Sequence, residues 1–173
     1  MSLEKYLSDT ARAIPPSAIR RFFDMANEMK GQVISLSIGE PDFVTPLSIR
    51  EAGVFSLQQG NTHYSPNQGF IELREAISDY MARRYQLSYE PKTDILVTVG
   101  GSEAIDLFVR AVVNPGDEVI IPEPCFVAYK ACVLLAGGVP VTIDCRQKDD
   151  FKLTAEQLAA ALTPKTKLVD RKS

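Results

Sequence analysis

The chain has 173 residues, of which 45% are hydrophobic and 24% charged, and its 19 basic and 22 acidic side chains leave a formal charge of −3. This is the balance of a globular protein with one core of ordinary size. It offers no basic face for nucleic acid or an anionic membrane, no apolar run long enough to cross a bilayer and no signal-peptide core, so a cytoplasmic protein is expected. Cys125, Cys132 and Cys145 lack metal-ligand spacing and have a single histidine, His63, to join them; they read as small apolar residues in a reducing compartment, with no metal site.

In chain order, residues 1–14 form an N-terminal arm ahead of Pro15 and Pro16. Ile19, Phe22, Phe23, Ala26 and Met29 recur at helical spacing and predict a helix over residues 17–30, closed by Gly31. Residues 33–38 read as a short strand ending in the turn Gly39-Glu40-Pro41-Asp42. Pro46 opens a helix over residues 46–59, capped by Gly60. A further helix covers residues 70–85, with Ile71 and Leu73 beside the charged Glu72, Arg74 and Glu75.

The stretch DILVTVGGSEAIDLFVRAVVNPGDEVIIPEP, residues 94–124, is the most informative. Residues 95–99 are an apolar, β-branched run too short for a helix and bounded by Gly100 and Gly101, which predicts a buried strand. Ser102 opens a helix carrying Ala104, Ile105, Phe108, Val109 and Val112, which stops at Asn114-Pro115-Gly116. Residues 118–121 are a second short strand. A helix over residues 126–136 ends at Gly137-Gly138, and a strand follows over residues 139–143. Thr154 and Gln157 make a capping box for a helix to Leu162, and residues 167–169 begin another strand. Alternating strands and helices demand a largely parallel sheet covered on both faces, here with an apolar edge open to pairing.

A strand that feeds a helix through two glycines places free N–H groups at the positive end of the helix dipole, a ready site for an anion such as phosphate. A Gly-Gly-Ser turn is also ordinary turn chemistry. The dinucleotide spacing G-x-G-x-x-G is absent, and no Gly-Lys-Ser/Thr follows to make a P-loop.

Three further motifs accompany this turn: SIGEPDF at residues 37–43, YSPNQGFIELREAI at 64–77 and PGDEVIIPEPCFVAY at 115–129. In this order and at these distances they resemble the class I/II aminotransferases, the fold-type I pyridoxal-phosphate enzymes, over nearly the whole chain from Ala13 to Val169. The resemblance implies an α/β three-layer sandwich, the large domain of a fold-type I PLP-dependent transferase, incomplete at its C-terminal side. Residues 1–45 would be the arm, helix and first strand on the small-domain and dimer side, and residues 46–173 part of the large cofactor domain. The cofactor implied is pyridoxal 5'-phosphate. The substrates are an amino acid and a 2-oxo acid, and the full-length form is a homodimer.

Site residues follow from the same resemblance. Gly39 resembles the glycine whose backbone approaches the substrate carboxylate, and it is equally a turn glycine. Tyr64 resembles the tyrosine that reaches the neighbouring subunit's cofactor phosphate; a core or interface tyrosine is the plainer alternative. Gly101, Ser102 and Glu103 match the phosphate-cradling turn, where backbone amides hold the anion and Ser102 adds its hydroxyl or caps the helix. A Glu103 carboxylate swung inward would repel that phosphate. Phe126 falls where an aromatic ring stacks on the pyridine, or it is a core phenylalanine; beside it Cys125 replaces a tyrosine of many relatives. His63 reads as structural or surface-exposed.

None of the nine lysines follows a serine as the family's Schiff-base lysine does, so no catalytic residue is assigned within the 173 residues. The switch from residues 162–169 (LTPKTKLV) to Asp170-Arg171-Lys172-Ser173 suggests an early stop, a frameshift or an expression fragment, or else a short product completed by a second chain. The expectation is an aminotransferase that is inactive as this chain alone. The alternatives are a PLP-dependent β-lyase of the same fold and a non-catalytic binding half.

Overall fold

The computed structural model describes residues 4–171 apart from 17, 30–32, 35, 37, 38 and 40. Among these are seven α-helices, three strands and two 3₁₀ turns, at Glu4–Tyr6 and Gln147–Asp149. The chain divides into two compact units, Met1–Met25 with Val99–Ser173, and Ala26–Thr98.

The first unit is built on a parallel sheet. Strand β1 (Glu118–Glu123) lies between β2 (Val139–Asp144) and β3 (Thr166–Val169), with both neighbours parallel to it. Parallel neighbours need a crossover. Helix α6 (Ala128–Leu135) connects β1 to β2, and α7 (Ala155–Ala161) precedes β3. Helix α5 (Gly101–Val112) packs on α6. Val109 of α5, Val133 of α6, and Val119 and Ile121 of β1 join Val113 in one buried cluster, with Leu168 of β3 partly buried against it. Ile120, pointing from the other face of the pleat, is fully buried as well. The expected fold class is therefore present: an α/β unit with a partial parallel sheet.

Local signals account for most element ends. Thr154 accepts from the Gln157 N–H at 3.2 Å, and the Gln157 side chain accepts from the Thr154 N–H at 3.0 Å, the reciprocal pair of a capping box. Helix α1 (Asp9–Ala13), which no sequence signal marked, is capped by the Ser8 hydroxyl at 3.1 Å from the Ala11 nitrogen. The Glu123–Pro124 peptide is cis.

Residues 95–99 correct the sequence reading. They form no strand, and Leu96 and Val99 are exposed. A strand is defined by its hydrogen-bonding neighbour, and β1, β2 and β3 pair only among themselves. Within residues 95–99, the Val97 N–H instead donates to the Gln68 carbonyl, 3.1 Å away. Residues 33–38 behave similarly where described: Val33, Ile34 and Leu36 lie in no strand, and Ser35, Ser37 and Ile38 fall outside the described residues.

The unit Ala26–Thr98 carries α3 (Leu47–Gln58) and α4 (Ile71–Tyr85). Helix α2 (Ala18–Glu28) runs across the boundary between the units, and the ends expected for it, residues 17 and 30, are outside the described residues. No apolar side chain is buried among the described residues of Ala26–Thr98; the one buried residue there is Arg74. In the sequence Arg74 stands with the charged residues Glu72 and Glu75 that flank an apolar helix face. The structure puts it inside.

Candidate functional site

Helix α5 begins where the sequence places its turn. Gly100 is the N-cap with φ +92°, a backbone conformation that L side chains rarely adopt, and Gly101 is the first helical residue. A Cβ at either glycine would meet no atom within 4 Å, so the space in front of the helix is open. Gly101, Ser102 and Glu103 are all exposed. They belong to the first turn, whose N–H groups have no acceptor within the helix and lie at the positive end of its dipole. The Glu103 carboxylate accepts a hydrogen bond from the Val99 N–H. It is thus engaged with the chain before the turn, and its negative charge stays at the start of the helix.

Phe126 lies just before α6, 39% exposed, with its ring 5.6 Å from that of Tyr129 and at 75° to it. Tyr129 and Ala104, the residue after Glu103, line one cleft of about 260 Å³ together with Ile105, Phe108, Leu168 and Asp170. The cleft is bordered by the start of α5 and by the end of β3. Its burial pushes the Asp170 carboxyl above its ordinary value of 3.8. Gly101, Ser102, Glu103 and Phe126 therefore sit in one unit, and none of the four lines that cleft, whose wall begins at their neighbours Ala104 and Tyr129.

Gly39 and Tyr64 belong to the other unit. Gly39 is exposed, with nothing within 4 Å of a Cβ built on it, although its neighbours Ile38 and Glu40 lie outside the described residues. Tyr64 is fully exposed, and His63 beside it is exposed too.

The sequence pattern of the family described as "Aminotransferase class I and II" matches residues 31–170. The chain belongs to the class I and II aminotransferases. It is 54% identical over 167 residues to the putative aminotransferase YugH of Bacillus subtilis (strain 168), a match covering 96% of this chain and 43% of that protein. Aromatic-amino-acid aminotransferase 2 of Thermococcus litoralis is 42% identical over 161 residues, covering 93% of this chain and 41% of its own length. Among solved structures, the aspartate aminotransferase from Thermus thermophilus with maleate superposes with a TM-score of 0.87 at 39% identity, over 94% of this chain and 43% of that one. The chain thus spans about two-fifths of the length of the relatives it matches, from their N-terminal portion.

Two features of this chain have little or no signal in its sequence. Tyr129 is visible in the motif EPCFVAY, three residues beyond Phe126, and that spacing brings the two rings together at the start of a helix. The cleft wall at Asp170 had only a general signal, its place beyond the carboxyl end of a parallel strand.

Proposed function

We propose that this chain supplies the phosphate-binding portion of a pyridoxal 5'-phosphate-dependent aminotransferase. The observation that carries the reading is the open first turn of α5, with Gly100 at φ +92° and Glu103 engaged by the Val99 N–H. A dianionic phosphate fits such a donor set, which offers amide hydrogens and the Ser102 hydroxyl, with the Glu103 carboxylate tied to the Val99 N–H. Pyridoxal phosphate, when bound, supplies the electron sink on which amino-group transfer depends. The protein's part is to hold and orient. Gly101, Ser102 and Glu103 give N–H groups to the phosphate, and Phe126, kept at an angle by Tyr129, offers a ring face to the pyridine.

The substrates in this reading are an amino acid and a 2-oxo acid, with the Gly39 backbone near the substrate carboxylate. Relatives of nearly equal identity are named for aromatic amino acids and for aspartate, so the side-chain preference is left at that class. Tyr64, fully exposed in the single chain, suits a role toward a second subunit's phosphate, in a homodimer of the full-length form. In the same reading residues 1–45 belong to the arm and dimer side and residues 46–173 to the cofactor domain. With no lysine after a serine in the 173 residues, this chain by itself binds the cofactor and does not transaminate.

The test is a titration of the purified chain with pyridoxal phosphate, with inorganic phosphate as competitor. Saturable binding that phosphate displaces is expected. Gly101→Pro, which deletes one N–H at a helical position that tolerates proline, should weaken binding about tenfold. Transamination by the chain should not exceed that of free pyridoxal phosphate. Binding insensitive to both phosphate and Gly101→Pro would remove the reading.

A further inference from the structure

Arg74 is 7% exposed, the one buried charged side chain among the described residues, and it forms no ion pair there. A desolvated cation is costly unless its hydrogens are taken up. Arg74 meets part of that cost with oxygens on two other chain segments, all of them on Nη1, while its buried Nε has no hydrogen-bond partner. Its Nη1 donates to the Pro91 carbonyl at 2.8 Å, the Gln68 side-chain oxygen at 3.1 Å and the Lys92 carbonyl at 3.3 Å. Three acceptors share two hydrogens, so one of these bonds is three-centred. Ser78, one turn along α4, adds a bond to the Tyr89 carbonyl at 2.6 Å. One face of α4 thus grips residues 89–92 and holds Gln68.

The gripped segments also touch each other. The Gln68 carbonyl accepts from the Val97 N–H at 3.1 Å. At Gly69, where φ is +89°, a Cβ would lie 2.7 Å from the Val97 side chain, so the backbone there passes directly over Val97. Glycine is required twice over, by the dihedral and by the close approach. Gln68 is four residues beyond Tyr64, and Val97 is three before Gly100. The unit holding both has no buried apolar side chain among its described residues to fix them otherwise.

We propose that Arg74 is a positioning residue for the phosphate-binding turn: it locks the chain segment that leads to Gly100. This rests on the cofactor reading above. That segment is not held by a sheet, and the hydrogen bonds at Arg74 take that role.

The test compares the 173-residue wild-type chain with Arg74→Met and Arg74→Lys. Three readouts are needed: circular dichroism, amide hydrogen exchange and titration with pyridoxal 5'-phosphate. Arg74→Met should keep its helical signal and exchange the Val97 and Gly69 amides about tenfold faster, with β1 unchanged, and should bind pyridoxal phosphate about tenfold more weakly. Arg74→Lys, which retains the charge and single hydrogen bonds, should recover part of both effects. Unchanged Val97 exchange in a folded Arg74→Met overturns the proposal, and so does faster exchange with unaltered binding. Collapse of both variants overturns it too, since Arg74 would then be a stability element of the whole unit. If the wild-type chain binds no pyridoxal phosphate, the cofactor reading falls, and Val97 exchange alone decides whether Arg74 locks the segment.

Discussion

The Glu103 side chain reaches back over the Gly100 turn and accepts a hydrogen bond from the Val99 N–H. Glu103 is the third helical residue of α5, the position from which an acidic side chain can satisfy a donor at the helix entrance. Here that donor lies one residue before the N-cap. The acidic residue that sequence alone marked as a hazard to phosphate therefore also braces the turn.

Replacing Glu103 by alanine frees the Val99 N–H and removes a negative charge from the start of the helix. The cost should be about 1 kcal/mol of stability, in line with other lost caps. Glu103→Gln, which retains the acceptor, should cost less. Urea denaturation of the three chains checks both, and equal midpoints for Glu103→Ala and wild type would count against the bracing role.

The two apolar runs flanking α5 should respond in opposite ways to truncation. Ile121 is fully buried in the middle strand and packs with Val109 and Val133, so Ile121→Ala should cost about 2–5 kcal/mol. Leu96 is 54% exposed and outside the sheet; Leu96→Ala should change stability by less than about 0.5 kcal/mol. Sequence pattern ranks these two residues together. A large loss at Leu96, measured by chemical denaturation, would show the run to be buried after all.

Asp170 should make stability depend on pH in an unusual direction. Burial in the cleft raises its carboxyl above the ordinary 3.8, so the folded state disfavours the ionised form. Its contribution is fully present below that ordinary value and is lost as pH rises through the raised one. Asp170→Asn should therefore raise the melting temperature at neutral pH, and the gain should vanish below pH 3.8. A gain independent of pH would place the cause elsewhere than in ionisation.

Much of the helical framework was legible because helix signals are local. Thr154 and Gln157, Gly100 ahead of Ser102, and Pro46 before α3 each act within one turn of the chain, through bonds between residues at most four apart. The middle strand was legible for another reason: Val119, Ile120 and Ile121 form an unbroken apolar run, which a parallel strand covered on both sides requires. The motifs around Tyr64, Gly101 and Phe126 likewise pointed to the family without coordinates.

Residues 95–99 and Arg74 were not legible. The first have the composition of a strand, but a strand needs hydrogen bonds from a segment distant in sequence, and no local pattern tells whether one arrives. Arg74 has the composition of a surface residue. Its burial is decided by carbonyls at Pro91 and Lys92, 17 and 18 residues away, that converge on one guanidinium nitrogen. By itself the sequence determined every helix but α1, the buried middle strand and the family, because these depend on near-neighbour bonds and on which side chains avoid water. Only the tertiary structure decided which apolar run joins the sheet and which charge goes inside, because both outcomes depend on partners that folding brings from far along the chain.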